Sequence, residues 1–153
     1  MDVAMDGRKR RHILLVEDDV LVSAMVKDAL EYAGFEVTAL DAAEDAVGLA
    51  MADVPFDLVV TDINLSGPMD GWELAETMRE MRGGVPIIYA SAQVYAEGSG
   101  MRVGNSLTLA KPYSPIALCK LIRELLAPSD AVPDIAPTQR KVIHLHERRA
   151  LIA

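Results

Sequence analysis

The chain has 153 residues, of which 51% are hydrophobic and 25% are charged, and its formal net charge is −8. This size fits one globular domain with short extensions, and the acidic balance argues against non-specific nucleic-acid binding, which depends on basic residues that neutralise phosphates. No apolar run approaches the roughly 20 residues that span a bilayer. The single cysteine excludes an internal disulfide framework. We therefore expect a cytoplasmic protein that does not enter the membrane.

Charge is unevenly distributed along the chain. Residues 12–127 contain seven Lys/Arg and eighteen Asp/Glu, whereas residues 1–11 and 138–153 are net basic. Residues 128–137 hold three prolines and two aspartates, a composition typical of a linker. The sequence thus predicts a basic extension at 1–11, a domain at 12–127, a Pro-rich linker at 128–137 and a basic, aliphatic tail at 138–153. Opposite charge predicts that the tail docks on the acidic domain of its own chain or of a dimer mate.

Strand-like and helix-like patterns alternate five times along residues 12–127, which is typical of parallel strands joined by helical crossovers. Short β-branched or aliphatic runs predict five strands buried on both faces, at residues 12–16, 35–39, 57–61, 85–90 and 106–109. Apolar residues at helical spacing predict four helices, at residues 20–33, 42–52, 71–81 and 115–126. Gly98 and Gly100 predict a short or irregular helix in the fourth crossover. The predicted fold class is α/β, with a doubly wound five-stranded parallel sheet.

The first helix carries signals at both ends. Asp19 is the predicted N-cap, and Gly34 stands just past the last turn, where a left-handed residue often ends a helix. Its buried face is predicted to comprise Leu21, Ala24, Met25 and Leu30. Cys119 falls in the apolar pattern of the last helix, which favours core packing over reactive chemistry.

Polar residues end four of the five predicted strands. They are Glu17, Asp18 and Asp19 after the first strand, Asp62 after the third, Ser91 after the fourth and Lys111 after the fifth. In an open α/β sheet, ligands bind at the edge formed by the carboxyl ends of the strands. Carboxylates, a hydroxyl and an ammonium at that edge suit a hard cation such as Mg²⁺ and a phosphoryl group. Asp62 is the predicted nucleophile, because a metal ion offsets the charge repulsion between its carboxylate and phosphoryl oxygens.

Each of these residues has a structural explanation when it is taken alone. Acids at the start of a helix interact favourably with the helix dipole, and Ser91 could cap the next helix. Asp62 could be an ordinary loop acid, and Lys111 alone indicates little. Their ordered placement at four strand ends favours a functional site.

Five segments together resemble the receiver domain of two-component response regulators. They are ILLVEDD at 13–19, DLVVTD at 57–62, MDGW at 69–72, PIIYASA at 86–92 and the pair Lys111-Pro112. The resemblance covers about residues 12–127 and implies a flavodoxin-like (βα)₅ receiver fold. It also implies that Asp62 accepts a phosphoryl group from a phosphohistidine on a histidine kinase or a histidine phosphotransfer protein.

The same resemblance implies a role for each residue of the site. Mg²⁺ would be held by Glu17, Asp18, Asp62 and the backbone carbonyl of Asn64. Ser91 would be the switch hydroxyl, and Lys111 would pair with the phosphoryl group. Asn64 and Gln93 match positions that help to set the rate of dephosphorylation in the family.

The sequence departs from the family pattern in three places. Thr108 stands where the family has a switch aromatic, three residues before the lysine. The loop at 63–71 is about one residue longer than usual, and the segment 91–111 is about two residues shorter. Candidates for a substitute aromatic are Tyr89, Tyr95 and Tyr113, although core packing is the expected role of Tyr89.

Three functional hypotheses follow. The leading one is a stand-alone receiver, a phosphoacceptor rather than an enzyme, that acts through an unknown downstream protein or a homodimer. Direct DNA binding is not expected, since the residues after 127 are too few for a helix-turn-helix domain. The alternative is a pseudo-receiver, an interaction module that works without phosphorylation. The third is a phosphatase of the haloacid dehalogenase type, which requires a second acid where this chain has Asn64.

Overall fold

The computed structural model describes residues 9–92 and 104–127 of the chain. Its strands are β1 (His12–Val16), β2 (Glu36–Leu40), β3 (Leu58–Asp62), β4 (Ile87–Ser91) and β5 (Ser106–Ala110). Its helices are α1 (Val20–Tyr32), α2 (Ala43–Met51), α3 (Gly71–Arg82) and α4 (Pro115–Leu126). The strands form one sheet in the order β2-β1-β3-β4-β5, and every neighbouring pair is parallel. The predicted α/β class and flavodoxin-like fold are confirmed, since β2-β1-β3-β4-β5 is the strand order of that fold.

The sheet separates two apolar layers. Ile13 and Leu15 of β1 pack on one side with α1 and α4, whereas Leu14 and Val16 pack on the other side with α2 and α3. This alternation follows from the two-residue period of a strand. The central strands β1, β3 and β4 are therefore buried on both faces, as predicted. For β2 that prediction was wrong, because β2 is an edge strand whose five residues are only half-buried.

The strand ends differ slightly from the prediction. β1 and α4 have the predicted bounds, whereas β2, β3, β4 and β5 end one residue later than expected. For β3, β4 and β5 the reason is that Asp62 and Ser91 remain in the ladder, where Asp62 pairs with Ala90 and Ser91 with Ala110. The backbone of a polar residue makes ladder hydrogen bonds as well as that of an apolar residue. Asp62 and Ser91 are thus the last residues of their strands rather than the first residues beyond them.

The buried face of α1 was predicted incorrectly except at Leu30. Val26 and Leu30 are buried and Val22 packs against the same core, whereas Leu21 is 82% exposed, Met25 is 53% exposed and Ala24 is exposed. Apolar residues occur at helical spacing on two faces of this helix, so periodicity alone did not identify the one that meets the sheet.

The predicted signals at both ends of α1 are confirmed, although the helix ends at Tyr32, one residue earlier than expected. Asp19 accepts hydrogen bonds from the N–H groups of Leu21 and Val22, and Gly34 follows the helix with a φ of 101°. Such a φ is readily adopted by glycine, which has no Cβ. Cys119 is buried in the core, as expected.

Several predictions fall outside the described residues. They concern Gln93, Tyr95, the irregular helix around Gly98 and Gly100, the linker at 128–137 and the tail at 138–153, and they stay predictions. Among the described residues, no helix combines the length and the apolar character needed to cross a membrane.

Candidate functional site

The carboxyl ends of β1 and β3 lie side by side at the point where the strand order reverses. Val16 pairs with Thr61, which places the residues that follow, Glu17 and Asp62, at the same edge of the sheet. The N–H of Glu17 donates to the carbonyl of Leu40 (3.0 Å), which holds the turn after β1 against β2. A reversal of strand order opens a crevice at the sheet edge, where ligands bind in open α/β folds.

Lys111 connects the two carboxylates at this edge. Its Nζ lies 2.7 Å from Glu17 Oε2 and 3.0 Å from Asp62 Oδ2. The Glu17 side chain is 3% exposed and that of Lys111 is 21% exposed, so the group is shielded from bulk water. One ammonium faces two carboxylates here, and the Asp18 carboxylate stands next to them. The cluster therefore carries excess negative charge.

The environment shifts the pKa values of Glu17 and Lys111. Burial is the largest influence on Glu17 and raises the pKa of its carboxyl group, although hydrogen bonds from Lys111 and from the Asp19 N–H oppose it. Burial by itself would lower the pKa of Lys111, but the hydrogen bonds to Glu17 and Asp62 outweigh it and raise that pKa. Lys111 is therefore firmly protonated and supplies a fixed positive charge beside Asp62.

Glu17, Asp18 and Asp62 have the chemistry of a site for a hard cation. Each offers one carboxylate oxygen, and these atoms all lie within 4.8 Å of one another. An all-oxygen donor set is what Mg²⁺ prefers, since it binds one or two carboxylates and retains several waters. The residues present therefore fit Mg²⁺, and bound Mg²⁺ would offset the excess negative charge of the cluster.

Asn64 and Ser91 lie at the same edge. The N–H of Asn64 donates to Asp62 Oδ1 at 3.0 Å, so Asn64 is fixed beside the acid cluster, and its carbonyl as a metal ligand stays a prediction. Ser91 ends β4 next to Asp62, is 1% exposed, and its carbonyl accepts from the N–H of Lys111 at 2.8 Å. The structure thus brings six of the predicted site residues to one end of the sheet: Glu17, Asp18, Asp62, Asn64, Ser91 and Lys111.

Sequence reasoning missed the role of Gly71, which begins α3. A Cβ at Gly71 would lie 2.2 Å from the carbonyl oxygen of Asp62 and 2.7 Å from the Cα of Ile63. The N–H of Gly71 also donates to the carbonyl of Ile63 at 2.9 Å. α3 can therefore start directly against the backbone of Asp62 only because this position has no side chain. The adjacent Asp70, which caps α3 together with Glu73, was the signal that could have identified the position.

Gly71→Ala is expected to destabilise the fold by at least about 2 kcal/mol, because the added methyl group overlaps backbone atoms that cannot rotate away. Gly48→Ala is the matched control, since Gly48 lies inside α2 and a methyl group on it would meet nothing within 4 Å. That change should stabilise the protein by about 0.5–1 kcal/mol through helix propensity. Urea unfolding measures both. Equal effects of the two substitutions would contradict the packing explanation.

The aromatic residues near the site have different roles. Tyr89 is fully buried, and its ring centroid lies 4.6 Å from that of Trp72, so its expected core role is confirmed. Thr108 lies opposite Tyr89 in the β4–β5 ladder. Tyr113 is half-buried two residues beyond Lys111, and burial, with the charges of Glu17 and Asp62, raises the pKa of its phenol to about 12. Tyr113 is therefore an un-ionised aromatic close to the acid cluster.

Comparison with known proteins agrees with this geometry. The family described as the response regulator receiver domain matches residues 13–123. The response regulator protein FleR of Pseudomonas aeruginosa is 32% identical over 146 residues, covering 90% of this chain and 30% of its own length. The response regulator SaeR of Staphylococcus epidermidis is 26% identical over 118 residues, covering 76% of this chain and 50% of its own length. The chain thus spans half or less of the length of these relatives.

Solved structures give the same result. A response regulator receiver protein from Sinorhizobium medicae is similar with a TM-score of 0.73 and 32% identity, over 77% of this chain and 95% of that chain. The chemotaxis protein CheY4 of Vibrio cholerae is similar with a TM-score of 0.68 and 26% identity, over 77% of this chain and the whole of that chain. The sequence match, the strand order and the acid cluster at the sheet edge agree, and the chain belongs to the response regulator receiver domain family.

Proposed function

We propose that this receiver accepts a phosphoryl group on Asp62 from a phosphohistidine of a histidine kinase or histidine phosphotransfer protein, and that the phosphorylated form acts on a downstream protein. The observation that carries the proposal is the setting of the Asp62 carboxylate. Its Oδ2 accepts from Lys111 and its Oδ1 accepts from the N–H of Asn64, with Glu17 and Asp18 alongside. A carboxylate oriented by two donors at an open sheet edge is well placed to act as a nucleophile.

The transfer forms one bond and breaks one. An oxygen of Asp62 bonds to phosphorus, the P–N bond of the phosphohistidine breaks, and its electron pair stays on the imidazole ring. The Lys111 ammonium stabilises negative charge on the phosphoryl oxygens, and the Ser91 hydroxyl is placed to donate to one of them. Mg²⁺, bound by Glu17, Asp18, Asp62 and the Asn64 carbonyl, would supply further positive charge at the same oxygens. Water later hydrolyses the acyl phosphate, which restores the Asp62 carboxylate and releases inorganic phosphate.

In this proposal the chain is a phosphoacceptor and not an enzyme that turns over a separate substrate. We place it in the cytoplasm, since its one cysteine is buried and unpaired, as fits a reducing compartment. Output passes through a protein, either an unknown downstream partner or a second copy of the chain. Direct DNA binding by the domain is not expected, because its net charge is strongly negative.

Labelling with a small-molecule phosphodonor such as acetyl phosphate tests the proposal against the pseudo-receiver alternative. The receiver should incorporate up to one phosphoryl group per chain in the presence of Mg²⁺, and hydroxylamine should remove it because it is an acyl phosphate. Incorporation should stop when the metal is chelated. A chain that stays unlabelled with Mg²⁺ present would favour the pseudo-receiver.

A surface of the receiver beside the acid cluster is a candidate docking site for the phosphodonor protein. Four apolar side chains in the first halves of α1 and α4 are exposed: Val20 at 76%, Leu21 at 82%, Met25 at 53% and Ile116 at 81%. Cys119 contacts the carbonyl of Ala29 and Arg123 donates to that of Ala33, so the helices run parallel and Ile116 lies level with the middle of α1. Exposed apolar groups beside a reaction site indicate a macromolecular partner.

Leu21→Glu is expected to slow phosphoryl transfer from a phosphohistidine protein by about tenfold or more, because it places a charge within the docking surface. Labelling by acetyl phosphate should be unchanged, since a small donor needs no docking. Tyr32→Glu is the control, as Tyr32 is 96% exposed at the opposite end of α1. Rates of transfer from a purified phosphorylated kinase measure the effect. Equal slowing by both substitutions would place the docking surface elsewhere.

A further inference from the structure

The loop between β3 and α3 is held by three carboxylates from three different elements. The N–H of Asn64 donates to Asp62 Oδ1 (3.0 Å), that of Ser66 to Asp18 Oδ2 (3.0 Å) and that of Met69 to Glu44 Oε1 (3.1 Å). Asp62 and Asp18 belong to the acid cluster. Glu44 lies outside it, in the first turn of α2.

Both carboxylate oxygens of Glu44 face this loop. While Oε1 accepts from the N–H of Met69, Oε2 lies 3.5 Å from the position that a Cβ on Gly67 would occupy, an ordinary packing distance. The backbone that carries Glu44 is anchored by its neighbours Ala43 and Ala46, which are buried in the core under α2. A rigid helix therefore presents the carboxylate to residues 67–69.

The other two carboxylates have competing tasks. Asp18 contributes an oxygen to the cation site while it accepts from the N–H of Ser66, and Asp62 is the proposed phosphoryl acceptor while it accepts from the N–H of Asn64. Cation binding at Asp18 and phosphorylation of Asp62 can therefore alter both of these hydrogen bonds to the loop. The Glu44 carboxylate takes no part in the cluster, so its hydrogen bond to Met69 is the one that can persist throughout.

We propose that Glu44 is a positioning residue that keeps loop 64–69 in the conformation that presents Asn64 to the site. It thereby strengthens Mg²⁺ binding and speeds phosphoryl transfer. The inference rests on the proposed function of Asp62 and assigns a determinant of the reaction to a helix outside the acid cluster.

Three substitutions separate positioning from other effects. Glu44→Ala removes the acceptor for the Met69 N–H. Glu44→Gln loses the charge but keeps an oxygen that can accept the same hydrogen bond. Asp45→Ala removes another exposed acid from the same first turn of α2, so it matches the loss of charge and of helix-dipole interaction.

Amide NMR of the full chain provides readouts that do not depend on activity. Without metal, the amides of Gly67 and Met69 should exchange faster in Glu44→Ala than in wild type. Titration with MgCl₂ alone should give a dissociation constant about fivefold higher for Glu44→Ala, as expected for loss of one charge-assisted hydrogen bond near water, and labelling by acetyl phosphate should slow similarly. Glu44→Gln and Asp45→Ala should stay within about twofold of wild type in all three measurements.

The outcomes distinguish the two proposals. If Glu44→Ala loosens the loop but leaves Mg²⁺ affinity and labelling unchanged, Glu44 is only a structural contact and the inference fails. It also fails if Asp45→Ala matches Glu44→Ala, since the effect is then one of charge alone. A wild-type chain that neither binds Mg²⁺ nor takes up phosphoryl groups rejects the proposed function of Asp62 itself.

Discussion

Asp62→Asn is expected to abolish phosphoryl incorporation, with a fall of at least about a thousandfold in the labelling rate, because removal of a nucleophile cannot be compensated by its neighbours. The fold should persist, since an amide oxygen can still accept from Lys111 or from the N–H of Asn64. Labelling by acetyl phosphate and by a phosphorylated kinase, followed by phosphate-affinity electrophoresis, measures the rate.

The matched control is Asp19→Asn, an acid-to-amide change two residues from Glu17. Asp19 caps α1 through its side chain, and asparagine caps helices about as well as aspartate. This variant should therefore label at nearly the wild-type rate. Persistent labelling of the Asp62 variant, or its loss in both variants, would mean that the carboxylate of Asp62 is not the acceptor.

Asp18→Ala is expected to weaken Mg²⁺ binding by at least about tenfold, because one of three carboxylates in the oxygen cluster is lost. The N–H of Ser66 loses its acceptor in the same variant, so the β3–α3 loop loses a hydrogen bond at the same time as the cation site loses a ligand. Calorimetric titration with MgCl₂ measures the affinity, and labelling should become dependent on higher Mg²⁺ concentrations.

Asp28→Ala controls for the loss of one negative charge, since Asp28 is an exposed acid on α1 away from the cluster. Its Mg²⁺ affinity should equal that of wild type. If Asp18→Ala also bound Mg²⁺ as wild type does, the acids after β1 would act only as a helix cap. From the sequence alone, that role was the alternative to a metal site.

The sequence allowed most of the sheet and the acid cluster to be predicted because both depend on local patterns. Runs such as Leu58–Asp62 end in a polar residue, and parallel strands place their carboxyl ends at one edge, so Asp62 and Lys111 could be expected to meet although 49 positions separate them. The direct contacts of Lys111 with Glu17 and Asp62 agree with that expectation.

The features that the sequence did not predict depend on tertiary contacts, which local sequence patterns do not show. The two apolar stripes of α1 are nearly equivalent in the sequence, and only docking on the sheet buries Val26 and leaves Leu21 in water. In the sequence, Glu44 has the pattern of an ordinary exposed acid at the start of a helix, and its contact with Met69 spans 25 positions. Gly71 was visible as part of a motif, but its steric role required the position of the Asp62 carbonyl.

Chemical identification of the phosphorylated residue tests directly whether Asp62 is the phosphoacceptor. The chain is labelled with acetyl phosphate and Mg²⁺, the acyl phosphate is reduced with borohydride, and the peptides are sequenced by mass spectrometry. Reduction converts a phosphorylated aspartate to homoserine, so we expect homoserine at position 62 and unmodified Glu17, Asp18 and Asp19. Homoserine at position 18 or 19, or the corresponding reduced residue at position 17, with Asp62 unchanged would contradict Asp62 as the phosphoacceptor.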